Sequence, residues 1–311
     1  MNNLYEITPL DTLFFRGSTP MEAGQYNTVS MFPPPVSVIK GAFWTEYCKI
    51  NNKSYSEGLK DGNIPINVNG IFIKKDNKLY VPCPSTWYYD NKDKILSGKD
   101  FKDVKLCKAE SKSEEFVAMG ISTSAGNVVF VKPEIDAKPL TGSWISLDAL
   151  KSDKKKLNED DILLPSDIYA MESRTGVGLD SKKHTVEGKL YTSTHVKLHL
   201  GITLAVSLDS ETELNLTKGK FCLGGEKRLS EYKKLDKNPA FADENNNSEE
   251  YLSLAPIEAT EDNLSKLVSS GKLVTVSGWD LKKGFHKPSS SYIPAGAVFT
   301  TKINNSCIPM V

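Results

Sequence analysis

The arginines are the residues of this chain best suited to bind an anion. Only three occur among 39 basic residues, and they lie in "FFRG" (Arg16), "SRTGVG" (Arg174) and "LGGEKR" (Arg228), each close to glycine. A guanidinium group offers a flat, two-pronged donor that fits phosphate or carboxylate and stacks on planar rings. The pattern indicates a site for a phosphate-bearing ligand. For any single arginine, pairing with an internal carboxylate is an equal alternative.

Mobile cations surround the second of these arginines. Lys182, Lys183 and His184 follow the glycine-rich stretch, and Lys189 comes a few residues later. Lysine and histidine in a basic loop contact phosphate more often than they catalyse, so phosphate contact is the preferred role. Acid–base catalysis by His184 is the alternative, because imidazole titrates near neutral pH.

Glycines could bring the backbone close to the same anion. Gly176 and Gly178 in "TGVGLD", with Gly224 and Gly225 in "LGGE", would let N–H groups form a phosphate-binding concavity. Ordinary turns are the alternative. Tyr191 is the aromatic residue best placed to stack on a base. The combination predicts a flexible loop beside a strand, gripping the backbone of a nucleic acid.

A metal site is not predicted. His195 and His199 are four residues apart and would share one face of a strand, but no third ligand follows at a suitable spacing. The chain also lacks a nucleophile elbow, a Walker loop and the H-E-x-x-H pattern. No cofactor is expected either.

Composition restricts where such binding could occur. The formal net charge is zero, with 39 basic and 39 acidic residues, which argues against a protein that coats nucleic acid over its whole surface. Binding must come from local charge, and an acidic strip at about residues 238–263 balances the basic region. No apolar run approaches the roughly 20 residues of a membrane span. Five scattered cysteines without a C-x-x-C pair predict free thiols and a cytoplasmic location.

The clearest periodicity begins at His195, where apolar and polar residues alternate as far as Leu208. Alternation predicts a strand with one face on the core and one polar face turned outward, and Gly201 would divide or bend it. The proline run before Val36 predicts a helix over residues 36–50. "EDNLSKLVSSG" predicts a second helix that ends at Gly271.

These elements predict an α+β fold of two ferredoxin-like (RRM-like) domains with insertions. The first domain would span residues 1–195, with insertions at about 85–165, and the second residues 196–311. A doubly wound α/β sheet is the alternative, but the predicted helices are too few for it.

Five motifs follow one another in an order that resembles one known family. They are "PLDTLFFRG", "PPPVSVIKGAF", "SRTGVGLDSKKHTVEGKLYT", "LGGEKR" and "GWDLKKG…YIPAGAVF". The family is the RAMP subunit of Cmr-type (type III-B) CRISPR effector complexes that pairs with the large polymerase-like subunit. The resemblance covers nearly the whole chain, except for about residues 85–160.

The resemblance implies two ferredoxin-like domains with no nuclease of their own. Proteins of this family bind the 5′ handle of the CRISPR RNA beside the large subunit and next to neighbouring RAMP backbone subunits. By motif, RNA contacts fall on Arg16, Arg174, Gly176, Gly178, Lys182, Lys183, His184, Lys189 and Tyr191. Gly224, Gly225, Arg228 and Gly296 are further candidates, with a role in folding as their alternative.

Three hypotheses follow. The first is a non-catalytic RNA-binding subunit of a multisubunit complex. The second is a metal-independent endoribonuclease that processes CRISPR transcripts, with His184 or His286 as base. The third is a scaffold that contacts only protein through the acidic strip.

Overall fold

The computed structural model describes residues 3–17, 26–60, 62–90, 104–111, 113–120, 130–131, 137–152, 154–236, 248–277, 279–280, 285–286 and 288–310. The first strands are β1 (Asn3–Pro9), β2 (Tyr26–Val29), β3 (Ile66–Lys75), β4 (Lys78–Pro82), β5 (Trp87–Asp90), β6 (Val104–Lys108), β7 (Glu110–Ser111), β8 (Phe130–Val131), β9 (Ala137–Pro139), β10 (Trp144–Ser146), β11 (Lys156–Leu157), β12 (Ile162–Leu163), β13 (Tyr169–Leu179) and β14 (Thr185–Leu198). The strands that follow are β15 (Ile202–Ser210), β16 (Lys218–Cys222), β17 (Leu229–Lys234), β18 (Tyr251–Ser253), β19 (Ile257–Glu258), β20 (Leu267–Ser269), β21 (Val274–Val276), β22 (Trp279–Asp280), β23 (Phe285–His286), β24 (Ser290–Ile293), β25 (Val298–Phe299) and β26 (Cys307–Pro309). The helices are α1 (Val36–Ile50), α2 (Ser113–Ala118), α3 (Leu147–Lys151), α4 (Pro165–Ile168) and α5 (Glu261–Ser265).

The fold is mixed α+β, and strands predominate. An antiparallel sheet of eight strands, in the order β12-β10-β4-β3-β15-β1-β17-β16, forms the centre of the molecule. A separate three-stranded sheet, in the order β13-β14-β2, carries most of the sequence-predicted binding residues. Among the described residues, no helix combines the length and apolar character needed to cross a membrane.

The predicted first helix is confirmed as α1, which begins directly after Pro35. Ile39, Phe43 and Trp44 are fully buried and form one core cluster with the inner face of the sheet. The rings of Phe43 and Tyr5 lie 4.8 Å apart, centroid to centroid, so the helix is fixed against β1 by aromatic packing.

The alternating strand is divided by Gly201, as predicted, because this residue has φ +81° in the turn between β14 and β15. The prediction of an outward polar face is wrong for β15. Ala205 and Ser207 are as buried as the apolar positions beside them. The strand lies in the middle of the sheet, and Leu252 and Leu254 of the C-terminal segment help cover its second face.

The predicted boundary between residues 195 and 196 does not coincide with a break between sheets. β15 follows the boundary in sequence but lies between β3 and β1, which precede it. Within the predicted insertions, β10 and β12 extend the central sheet, while β11, β6, β5 and β9 form a sheet of four.

The second predicted helix is shorter than the sequence pattern indicated. α5 ends at Ser265 rather than at Gly271, and residues 267–269 form β20, which pairs with β25. No side chain of α5 is fully buried, so little packing stabilises a longer helix here.

Candidate nucleic-acid interface

The segment predicted to be a flexible loop is a long β-hairpin. β13 and β14 pair antiparallel from Tyr169 opposite Leu198 to Leu179 opposite Thr185. The loop is confined to Asp180–His184, where the Asp180 carboxylate accepts hydrogen bonds from the backbone N–H groups of Lys182 and His184, each at 2.8 Å. "SRTGVG" is therefore strand, and the exposed cations lie in the short turn.

One face of this hairpin collects five of the thirteen predicted binding residues. Antiparallel register places Arg174 opposite Ser193 and Gly176 opposite Tyr191, so their side chains share a face. Gly178 and Lys189 lie on the same face. We call this surface the hairpin face: Arg174, Gly176, Gly178, Lys189 and Tyr191.

The two glycines of the hairpin face make room for large side chains. A Cβ atom on Gly176 would lie 2.3 Å from Cζ of Tyr191, and one on Gly178 would lie 2.8 Å from Cβ of Lys189. The Tyr191 ring and the Lys189 stem thus lie across β13 and present a ring and an ammonium group on the same surface. The predicted amide concavity is not formed at this strand, because its backbone is extended and paired with β14.

The segment containing "FFRG" connects the hairpin to the "LGGEKR" turn. Leu13 and Val196 exchange two backbone hydrogen bonds, at 2.7 and 2.9 Å. The Phe14 carbonyl accepts a hydrogen bond from the N–H of Gly225 at 2.8 Å, and Arg16 forms a bridge with Ser30. Three motifs that are far apart in the sequence therefore meet along residues 11–16.

Close backbone approach explains the glycine at the "LGGEKR" turn. Gly224 has φ +84°, and a Cβ atom there would lie only 2.5 Å from the Phe14 carbonyl oxygen. Glu226 and Lys227 also have left-handed backbone conformations, with φ 55° and 53°. This strained turn places Arg228 beside the "FFRG" segment. The glycine pair therefore has a role in folding.

Arg174 and Arg228 meet at a single carboxylate. Asp11 Oδ1 lies 3.3 Å from Nη2 of Arg174, and Asp11 Oδ2 lies 2.6 Å from Nη1 of Arg228. Arg174 also holds Glu172 at 2.8 Å, and Arg228 holds Glu226 at 2.6 Å. We call these five residues the arginine cluster. The structure thus brings two of the three arginines together and gives each of them carboxylate partners.

The charges of the arginine cluster support one another. The pKa of Asp11 is lowered, first by a hydrogen bond from the Thr12 N–H and further by the adjacent guanidinium groups of Arg174 and Arg228, while burial acts in the opposite direction. The pKa of Arg174 is raised, first by its hydrogen bond to Glu172 and further by Asp11. Asp11 and Arg174 are therefore charged at neutral pH.

His195 lies beneath this cluster and is fully buried, so the prediction that it faces outward is wrong. Its Nδ1 lies 3.2 Å from Thr12 Oγ1, its Nε2 lies 3.0 Å from Ser193 Oγ, and its ring stacks on Phe14 at 4.9 Å. Glu226 is 3.7 Å away. In the described part of the chain, no three potential metal ligands form a group. His195 therefore ties β14, the "FFRG" segment and the glycine turn together.

The burial of His195 predicts a pH dependence of stability. Burial lowers the pKa of His195, as do Arg228 and Arg174, while Glu226 and Glu172 act in the opposite direction. Because the unfolded chain binds this proton more readily, stability should fall as pH drops below about 6.5. Replacing His195 with Gln should flatten the unfolding free energy measured by urea titration between about pH 5 and 7.

A matched control is His184→Gln, which changes the exposed histidine in the hairpin turn. It should leave the pH dependence of the wild-type chain unchanged. If the unfolding free energy of His195→Gln changes with pH as steeply as that of the wild type, His195 is not the group responsible for the pH dependence.

The other predicted residues lie at the ends of the hairpin or elsewhere. Lys182, Lys183 and His184 are exposed at the hairpin turn. Gly296 belongs to a different part of the fold: its φ is +91°, and a Cβ atom would lie 2.7 Å from the Cys83 carbonyl oxygen. The side chain of His286 is outside the described residues.

The carboxylates of the arginine cluster were not predicted from the sequence. Glu172 and Glu226 each precede an arginine by two residues. In a strand, this spacing places both side chains on the same face, so the pairing of Glu172 with Arg174 could have been predicted from the sequence. Asp11 is more than 150 residues from either arginine, so only the tertiary fold reveals it.

An open groove of about 1970 Å³ passes beside the "FFRG" segment. Arg16, Gly224 and two lysines of α1, Lys40 and Lys49, are among the residues that line it.

Comparisons with known proteins agree with the sequence resemblance. The family model described as "CRISPR-associated protein (Cas_Cmr3)" matches residues 5–261. A chain of the cryo-EM structure of type III-B Cmr-beta bound to cognate target RNA and AMPPnP is 18% identical, with a TM-score of 0.57, over 95% of this chain and 85% of that one. A chain of Cmr-beta bound to cognate target RNA is 17% identical, with a TM-score of 0.56, over 95% and 86%. No curated protein sequence matches significantly.

Proposed function

The chain belongs to the Cas_Cmr3 family of CRISPR-associated proteins, and on that premise we propose that it is the subunit of a cytoplasmic type III-B effector complex that binds the 5′ handle of the CRISPR RNA without cleaving it. The observation that carries this proposal is the convergence of three motifs, "FFRG", "SRTGVG" and "LGGEKR", on one surface. The hairpin face and the arginine cluster form that surface.

The side chains on this surface suit single-stranded RNA. Arg174 can offer its fork to phosphate, the Lys189 ammonium group adds a second cation, and the Tyr191 ring can stack on a base. The exposed lysines of the hairpin turn extend the cationic character toward its tip. Such a local arrangement accounts for RNA binding by a chain without net charge.

The strand order supports a ferredoxin-like unit in this proposal. β17, β1, β15 and β3 are neighbours in that order, all antiparallel, and α1 lies in the connection from β1 to β3. A ferredoxin-like β-α-β-β-α-β unit has the same neighbours, although residues 211–228 contain β16 and a short 3-10 turn where its second helix would lie. A second such unit in the C-terminal part remains a prediction.

Partners follow from the family. We propose contacts with the large polymerase-like subunit and with neighbouring RAMP backbone subunits, so that the handle is held at their junction. The chain of Cmr-beta to which this protein is similar comes from a complex with target RNA, which is consistent with such an assembly.

A salt titration tests RNA binding directly. The affinity of the full-length chain for a single-stranded RNA of handle sequence should fall linearly with the logarithm of salt concentration, with a slope near −0.7 per contacted phosphate. A handle RNA and a scrambled RNA of equal length should differ in affinity if bases are read. Absence of measurable RNA binding, both by the chain alone and in crosslinking of the assembled complex, would favour the protein-only scaffold instead.

Endoribonuclease activity is the second candidate, because Asp180 Oδ2 lies 3.6 Å from His184 Nδ1 and could orient the imidazole as a base. Incubating the chain with repeat RNA in EDTA separates the two functions. Intact RNA supports the binding subunit; cleavage at one position, lost in His184→Gln, supports the nuclease.

A further inference from the structure

Two guanidinium groups converge on one anionic group in the arginine cluster. Each oxygen of the Asp11 carboxylate contacts a different arginine, Arg174 at 3.3 Å and Arg228 at 2.6 Å. A carboxylate and a phosphodiester both carry one negative charge shared over two terminal oxygens. The space between the arginines therefore has the charge and the donors that a backbone phosphate of RNA requires.

The carboxylate that fills this space is the most exposed member of the contact. The side chain of Asp11 is 52% exposed, against 33% for Arg174 and 18% for Arg228. It belongs to the connection after β1, and besides the two arginines its carboxylate accepts a hydrogen bond from the Thr12 N–H. Asp11 is thus the partner that an incoming anion can displace.

The arginines do not depend on Asp11 alone for their orientation. Glu172 accepts from both Nε and Nη2 of Arg174, at 2.9 and 2.8 Å, and Glu226 accepts from Nη2 of Arg228 at 2.6 Å. With Asp11 displaced, both guanidinium groups remain fixed and keep donors directed at the vacated position.

From this geometry we infer that Asp11 occupies the place of an RNA phosphate and is displaced when RNA binds. The inference rests on the proposed function and adds to it a residue that opposes binding. In the free protein Asp11 is the carboxylate that the two arginines share, and each arginine also keeps a glutamate, so weakly bound anions gain little there. A phosphate that is also held by neighbouring contacts along an RNA strand can compete successfully.

The exchange predicts that removing the charge of Asp11 strengthens RNA binding. Asp11→Asn keeps the size of the side chain and an oxygen that can accept the Thr12 N–H, but it no longer competes as an anion. The dissociation constant for handle RNA at low salt should fall roughly three- to thirty-fold, the range expected from two partly exposed ion pairs. The salt slope should stay that of the wild type, because the number of contacted phosphates is the same.

Asp160→Asn is the matched control, because Asp160 is an exposed aspartate that pairs with Lys78 at 3.3 Å on another part of the surface. It should leave the affinity unchanged, and a gain equal to that of Asp11→Asn would reduce the effect to net charge and overturn the inference. In the double variant Asp11→Asn with Arg228→Ala, the gain should be largely lost.

The outcomes separate this inference from the proposed function. If the wild-type chain binds handle RNA and Asp11→Asn, folded by circular dichroism, binds it equally or more weakly, Asp11 is not a competitor and the inference is wrong while the function stands. If Asp11→Asn does not fold, Asp11→Ser is tested in its place, by circular dichroism for folding and by its affinity for handle RNA. If the wild-type chain and the assembled complex both leave the handle unbound, the proposed function itself fails.

Discussion

Alanine in place of Arg174 should weaken binding of the handle RNA by about 1–3 kcal/mol. The side chain lies in the middle of the hairpin face, one third exposed, with its guanidinium group fixed by Glu172. Its guanidinium group is already oriented by Glu172, so little side-chain entropy is lost when its remaining N–H groups bind phosphate. The affinity of the full-length chain for handle RNA, measured by fluorescence anisotropy over a range of salt concentrations, checks this prediction.

The salt dependence gives a second readout of the same change. Loss of one phosphate contact should reduce the magnitude of the slope by about 0.7. Lys78→Ala, which removes an exposed cation that pairs with Asp160 and lies outside the hairpin, is the control and should change neither quantity. An Arg174→Ala variant that binds with wild-type affinity and slope would remove Arg174 from the RNA site.

Gly224→Ala should destabilise the fold more than any other glycine-to-alanine change near the site. The left-handed backbone alone costs about 1 kcal/mol for alanine. In addition, the new Cβ atom would lie 2.5 Å from the Phe14 carbonyl oxygen and 2.9 Å from the Phe15 ring, so the backbone must shift. The free energy of unfolding should fall by about 2–4 kcal/mol, measured by urea denaturation.

The Gly201→Ala variant measures the cost of the left-handed backbone alone, without the steric overlap that Gly224→Ala introduces. Gly201 has φ +81°, nearly equal to the +84° of Gly224, but no atom lies within 4 Å of its added Cβ. The free energy of unfolding of Gly201→Ala should fall by only about 1 kcal/mol. Equal losses at the two positions would mean that the contact between Gly224 and Phe14 is not important for stability.

Local patterns predicted much of the framework. The proline run and the residues after it predicted α1, and strict alternation with a central glycine predicted two strands joined at Gly201. The same alternation wrongly placed His195 and Ala205 on an outer face. Alternation in the sequence does not show whether one face or both faces of a strand are covered by other parts of the chain. Contacts with the C-terminal segment bury Ala205, and contacts with Thr12 and Phe14 bury His195.

Glycine was the source of the main error about the hairpin. "TGVG" predicted a loop, since glycine lowers strand propensity. In the structure, Gly176 and Gly178 lie opposite large side chains, and cross-strand packing with Tyr191 and Lys189 fills the space that their own side chains would have taken. The close approach at these glycines is made by side chains, and contact of their backbone with an RNA phosphate stays a prediction.

The motifs of the candidate site could be predicted from the sequence, but their arrangement in space could not. Cationic and glycine-rich segments could be recognised one by one, and the resemblance grouped them. Their meeting point depends on residues 11–16 passing between β14 and the turn at Gly224, which involves contacts between residues nearly 200 positions apart in sequence. The carboxylates that hold the arginines belong to that same tertiary arrangement.

Crosslinking of RNA in the assembled effector complex tests the central proposal most directly. Ultraviolet crosslinks to handle nucleotides, located by mass spectrometry, should fall on the β13–β14 hairpin, including Tyr191, and on the turn that contains Arg228. Crosslinks to the handle that fall only on other subunits, in a complex that retains this chain, would contradict it.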